Sequence, residues 1–354
     1  MTGTGTQNDP YVVTSMEEVK ELIEGYEDIV DPDSGTTTRV WTLPTDSTTY
    51  IEFPDVYAGP KIMDYRNRGW NPFTIMLGGA RQHVTIHIHF NGWTILGLSI
   101  MDIDYWLMIG CRKSSGTDYG GRIFIYDLIM KNVYVLANSS DTTLFSLWTD
   151  STVGGSSLTE ILRFYNCKFS VVLDAQNSTA YMYDFYRDGS TSSYMTFDTC
   201  SFNIKLSTRT SNKSATIVKN NYGIGWINNC LYNLISNNYT GSSTIISCSL
   251  RFCKFTGSIR IPFDGNPTIS LGSTSVYNVV DMEVINCSNA YGNKLKLQGS
   301  SGINIVNKTR LRAEGTYPMS IENSDVWKII ENAADFVNPS YLNSIDFICG
   351  DAPT

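Results

Sequence analysis

One short unit recurs along this chain and narrows its possible folds more than any other feature. It reads apolar-x-x-Cys-x-aromatic, in Phe164-Tyr-Asn-Cys167-Lys-Phe169, Phe197-Asp-Thr-Cys200-Ser-Phe202, Ile227-Asn-Asn-Cys230-Leu-Tyr232 and Leu250-Arg-Phe-Cys253-Lys-Phe255. A fifth copy is read at Val284-Ile-Asn-Cys287-Ser-Asn289, so the cysteines recur after 33, 30, 23 and 34 residues. A bare coil of a β-solenoid takes roughly 20–25 residues, and longer intervals are coils carrying loops. Stacked coils place equivalent positions in register about 4.8 Å apart. A small apolar cysteine followed two places on by an inward aromatic suits such a column.

The segments between the repeats agree. From about Tyr50 to Leu311 the chain runs in short alternating stretches, such as Val84-Thr-Ile-His-Ile-His-Phe90, Arg122-Ile-Phe-Ile-Tyr126, Asn132-Val-Tyr-Val-Leu136 and Ile303-Asn-Ile-Val-Asn307. Period-2 alternation bounded by Gly, Asn, Asp or Ser marks strands. Charged residues make up only 17% of the chain, so Ser, Thr and Asn must supply the polar surface, as suits β-structure with many turns. The expected fold is therefore all-β, a single right-handed parallel β-helix over residues 46–312. Residues 1–45 form its N-terminal cap and 313–354 its C-terminal cap or tail.

Each cap is expected to hold a helix. Ser15-Met-Glu-Glu-Val-Lys-Glu-Leu-Ile-Glu-Gly-Tyr-Glu27 opens with Ser15 as N-cap and Glu18 three residues on, a capping box. Val19, Leu22, Ile23 and Tyr26 then share one face. Such a helix would cover the open edge of the first coil. A second, shorter helix is expected over residues 323–332, capped near Ser324, with Pro339–Phe347 closing the far end.

Three segments resemble β-helix proteins of phages and prophages, of the pectate-lyase-like type. They are Gly3-Thr-Gly-Thr-Gln-Asn-Asp-Pro-Tyr-Val-Val13, Ile88-His-Phe-Asn-Gly-Trp-Thr-Ile95 and Tyr341-Leu-Asn-Ser-Ile-Asp-Phe-Ile348. The resemblance implies a virion component, a fibre, spike or head appendage, working by multivalent binding to other virion proteins or a host surface glycan. Analogy with such proteins implies a homo-oligomer, a trimer. These motifs are architectural and bring no catalytic residue with them.

Composition bears on the partners. With 34 acidic and 26 basic residues the net charge is −8, which repels a phosphate backbone, so no nucleic-acid partner is expected. Neither a basic and apolar leader nor an apolar run of about 20 residues is evident, so no membrane insertion is expected and a virion protein would be made in the host cytoplasm. The eight cysteines lack a CxxC pair and lie away from the histidines. Free thiols, no zinc site and no cofactor are expected.

Three clusters are candidates for chemistry. His87 and His89 project from one face of a strand, and an HxH pair can hold a metal where symmetry brings copies together. Exposed strand histidines at a subunit contact are the commoner case. Asp102 and Asp104 share a face if Ile100–Trp106 is a strand, and Asp127 lies about a coil later. Carboxylates roughly 5–9 Å apart could cleave a glycosidic bond, which makes a polysaccharide depolymerase the alternative function. Against it, the Asn-Thr-Asp, Asp-Asp and Gly-His-Gly pattern of polygalacturonases and the clustered arginines of pectate lyases are absent. Finally, Tyr181, Tyr183 and Phe185 form one face of a strand, either an exposed row for stacking on sugar rings or part of the core.

Overall fold

The structure, a computed structural model, describes residues 2–330 apart from 31, 33–35, 44–46, 67–72, 79–83, 113–120, 150–158, 185–192, 210–212, 219–225, 239–243, 262–265, 272–274, 276, 288–293, 300–303, 308–309, 315–319 and 324–326. The described residues form thirty strands and one α-helix. Nearly every strand pairing is parallel. An eleven-stranded sheet runs from Tyr11–Val12 to Ser320–Asn323, a twelve-stranded sheet from Ile62–Asp64 to Trp327–Ile330 with two of its strands off the main path, and a five-stranded sheet from Phe73–Gly78 to Ala215–Val218. Consecutive strands visit the three sheets in turn. Gly121–Tyr126 belongs to the first, Ile129–Ala137 to the second and Thr142–Thr149 to the third, and the chain then returns to the first at Thr159–Tyr165.

The alternation read from the sequence sets which side chains face inward. In Val84–His89 every apolar residue is buried and every intervening residue half-buried. One apolar cluster runs from Val13 to Leu297 through all three sheets. Among the described residues the third sheet ends at Ala215–Val218, and the strand Thr244–Arg251, which lies beside it, pairs within the eleven-stranded sheet. The cysteine spacing is shorter here, 23 residues from Cys230 to Cys253.

The cysteine repeat marks one corner. Six strands of the first sheet are followed within two residues by a residue with positive φ: Asn91 at 49°, Asp127 at 57°, Asn166 at 53°, Thr199 at 54°, Asn229 at 51° and Phe252 at 55°. Left-handed backbone turns the chain sharply, and asparagine or aspartate tolerates it best. After the last five of these the next residue is buried, as Leu128, Cys167, Cys200, Cys230 and Cys253. The thiols of Cys200, Cys230 and Cys253 lie 3.5, 3.7 and 3.4 Å from the carbonyl oxygens of Phe164, Phe197 and Ile227 in the preceding coil. Two places on, Phe169, Phe202, Tyr232 and Phe255 stack with centroids 5.1, 4.6 and 5.0 Å apart.

The fifth repeat does not belong to this column. Cys287 follows the strand Val279–Asn286 at its far end and is only half-buried. The equivalent place is taken by buried Asn278 behind Tyr277, φ 56°. Its amide donates to the Leu250 carbonyl at 2.8 Å, the acceptor position the thiols use, and to Asn304 Oδ1 at 2.9 Å. An amide serves here in place of a thiol, and a cysteine search passes over it.

Both expected caps differ in detail. The N-terminal helix spans Met16–Glu24, with Ser15 Oγ accepting the Glu18 N–H at 3.1 Å. Glu18 reaches back to the Thr14 N–H at 2.6 Å rather than to Ser15. Met16, Val19, Leu22 and Ile23 are buried. Tyr26 is not on that face: the helix stops before Gly25, and Tyr26–Val30 pairs antiparallel with Thr37–Trp41. The eleven-stranded sheet already begins at Tyr11–Val12, which pairs with Ile51–Glu52 inside the coil region. At the other end the expected helix over residues 323–332 is corrected. Trp327–Ile330 is a strand paired in parallel with Asn304–Asn307. An aromatic and two isoleucines favour extended backbone, and a waiting strand edge outweighs a helical pattern only a few residues long. Ser324 and Pro339–Phe347 lie outside the described residues.

Candidate functional site

The histidines project outward, as read, into a strip of rings crossing four coils. Register aligns Tyr50, His87, Phe124 and Arg163 in one column, and Glu52, His89, Tyr126, Tyr165 and Asp198 in the next. His87 stacks on Tyr50 at 4.8 Å and meets the edge of Phe124 at 5.1 Å. His89 lies flat against Tyr126 at 4.4 Å. The His87 Nδ1 is 3.0 Å from the Tyr126 hydroxyl. Arg163 sits 5.6 Å over the Phe124 ring while Glu160 grips its guanidinium through two bonds of 2.8 Å.

This packing sets the electrostatics. Burial, reinforced by neighbouring His89, holds the His87 imidazole below its ordinary pKa. At His89 burial also lowers it, against the opposing charges of Asp127 and Glu52. Burial pushes the Tyr126 hydroxyl up. Near neutral pH the strip is therefore composed of uncharged rings flanked by carboxylates. Where the rings lie flat on one another, Tyr50 on His87 and His89 on Tyr126, the strip offers edges, hydroxyls and ring nitrogens to a partner. Among the described residues no group of three His, Cys, Asp or Glu side chains could hold a metal; His83 lies outside them.

The carboxylates read as a possible catalytic group are not brought together. The strand Ser99–Met101 ends before Asp102, which takes a left-handed φ of 53°. Ile103, not Asp102, then alternates with Ile100 into the core, and Asp104 is exposed in the turn. Asp102 accepts the N–H groups of Asn138, Ser139 and Ser140 at 2.7, 2.8 and 3.2 Å and the Ser139 hydroxyl at 2.6 Å. Burial alone would raise its pKa, but the Ser139 hydroxyl and the three N–H groups outweigh it and pull the carboxyl down to about 2. Asp127 instead holds Asn166 Nδ2 at 2.5 Å. It precedes the strand Ile129–Ala137, whereas Asp102 follows the strand paired with that strand's end. The two lie at opposite edges of one sheet, on the order of 25 Å apart at about 3.3 Å per residue. A glycosidase pair needs roughly 5–9.5 Å.

The tyrosine face splits likewise. Tyr183 is fully buried, with its hydroxyl 3.2 Å from that of buried Tyr232. Tyr181 is half-buried and Phe185 lies outside the described residues. Of the two readings of this face, Tyr183 belongs to the core one.

Sequence reasoning missed Tyr50, Phe124, Tyr126, Arg163 and Tyr165. The signal was available: each holds an outward place in an alternating strand, and aligning the strands by their buried residues lines them up with His87 and His89. No protein-family model, curated protein or solved structure matches this chain. No helix among the described residues is long and apolar enough to cross a membrane.

Proposed function

We propose that this chain forms a single right-handed parallel β-helix and serves as a structural or attachment protein of a tailed-phage virion. The observation that supports this reading is the passage of successive strands through three parallel sheets, each strand pairing with its counterpart one passage later. Handedness follows from the twist of the strands, which makes parallel crossovers right-handed in about 98% of cases. Stacked coils repeat outward positions every 4.8 Å or so, and a surface of that kind binds through many weak contacts that reinforce one another. The strip from Tyr50 to Tyr165 is the proposed contact face, toward other virion proteins or a host surface, and a trimer is the proposed assembly.

Labelling particles from the encoding host with antibody to the purified protein, under the electron microscope, tests this. Label at the tail tip supports host attachment, and label over the capsid supports a head appendage. Particles without label refute the virion assignment. Sedimentation equilibrium tests the trimer.

A further inference from the structure

We infer that a depression on the outer face of the twelve-stranded sheet binds an anionic, hydroxyl-rich unit of a surface polymer. The inference deepens the attachment reading above and rests on it for its biological setting.

The site arises from side-chain size. Register aligns the outward residues Ile129, Lys168, Ser201 and Leu231 in one column and Ser170, Asn203 and Asn233 in the next. Ser170 and Ser201 are the small members, flanked in neighbouring coils by longer side chains, so the surface dips between them. The resulting hollow has a volume of about 330 Å³, at the small end of the roughly 300–1,000 Å³ of ligand sites. A ladder irregularity between Met130 and Val133, with Asn132 at φ 54°, leaves Lys131 on its rim.

Charge selects the ligand. Lys131 and Lys168 both line the hollow, both are exposed, and neither has an ion-pair partner among the described residues. Lys254, Lys294 and Arg163 by contrast are each paired with a carboxylate. In a chain of net charge −8, two uncompensated cations at one concavity form a local positive site. The serines and the Asn203–Asn233 amide pair, bonded at 3.1 Å, supply donors and acceptors for hydroxyl groups. Below them lie the stacked Phe169 and Phe202. A negatively charged group held by the lysines, attached to a body with an apolar ring face on Ile129 and Leu231 and hydroxyls toward serine and asparagine, matches this lining.

The test measures binding of the full chain to three immobilised polymers: a polyuronate, a glycerol-phosphate polymer and neutral dextran. The expected result is saturable binding to one or both anionic polymers, weakened by salt, and none to dextran. The double variant Lys131→Gln/Lys168→Gln should lose about tenfold or more in affinity, as charge-assisted contacts are removed. Ser201→Trp, which fills the hollow and keeps both charges, should abolish binding at an unchanged melting temperature. Preference for the polyuronate assigns a carboxylate ligand and preference for glycerol phosphate a phosphodiester. Equal binding to dextran, no binding to either anion, or binding indifferent to both substitutions overturns the inference. Particle labelling is read separately, so a failed site and a failed virion assignment are distinguishable.

Discussion

Removing Asp102 should loosen the corner where the twelve-stranded sheet hands the chain to the five-stranded one. Its carboxylate collects three N–H groups and one hydroxyl from residues 138–140 of the next coil. A carboxyl lowered from 3.8 to about 2 corresponds in full to about 2.5 kcal/mol of linkage, and partial contact with water reduces this to about 1–2 kcal/mol. Alanine also strips acceptors from the three N–H groups, so about 2 kcal/mol is expected for Asp102→Ala. Asparagine tolerates the left-handed backbone and keeps one oxygen, so Asp102→Asn should cost about 1 kcal/mol. At about 2.1 cal/mol/K of unfolding entropy per residue, 2 kcal/mol in this chain is about 3 °C in melting temperature for cooperative unfolding. The sign with pH is fixed. A depressed carboxyl contributes fully above its ordinary value and loses the contribution as pH falls toward 2. Calorimetric melts at pH 7, 4 and 2.5 should therefore show wild type and Asp102→Asn converging at the acid end. Melting temperatures within half a degree at pH 7, or a gap independent of pH, would refute the argument.

Other outcomes follow from the same geometry. Thr199→Asn should stabilise by about 0.5–1 kcal/mol, because a β-branched residue at φ 54° carries strain that asparagine relieves; a denaturant midpoint at or below wild type would count against this. Tyr183→Phe should cost about 1–2 kcal/mol by depriving the Tyr232 hydroxyl of its partner, while the double phenylalanine variant costs less than the two single changes together; strict additivity in the cycle would dismiss the pair. Cys287 should be alkylated in the native protein while Cys167, Cys200, Cys230, Cys248 and Cys253 are spared, as read by peptide mass mapping. Its labelling should accelerate above pH 9, since burial and the Glu314 contact push its thiol up, and early modification of any buried five would contradict the packing.

The parallel β architecture was legible because burial alternates along strands such as Val84–His89, Gly121–Tyr126 and Ser201–Thr208. Ile86 and Ile88, or Val133 and Val135, announce their strands with no help from distant residues. Four of the five cysteine repeats mark a real corner for a related reason: the thiol must be small enough to follow a left-handed residue and apolar enough for the core. Asn278 escaped because its amide satisfies the same carbonyl by different chemistry. Trp327–Ile330 escaped because its conformation is set by Asn304–Asn307 rather than by its own pattern. The aspartates were misread for a subtler reason. Asp102 is two residues from Ile100 along the chain, yet a single left-handed residue ends the alternation and turns a shared face into a corner.

That corner also bears on how such a chain avoids folding into the wrong partner. Rungs built alike are interchangeable, so a coil could dock one storey too high with nearly all its ring stacking intact. The intervals between successive corner residues, 39, 33, 30, 23 and 25 from Leu128 to Asn278, make such a slip costly, because a displaced coil would have a different length of chain to place than the one it replaced. The change from thiol to amide at Asn278 adds a second mark, since its amide bonds Asn304 Oδ1 as well as the Leu250 carbonyl, where the thiols of Cys200, Cys230 and Cys253 reach the carbonyl. Uneven coils thus give each rung an address, and a column of near-identical rings can assemble in only one order.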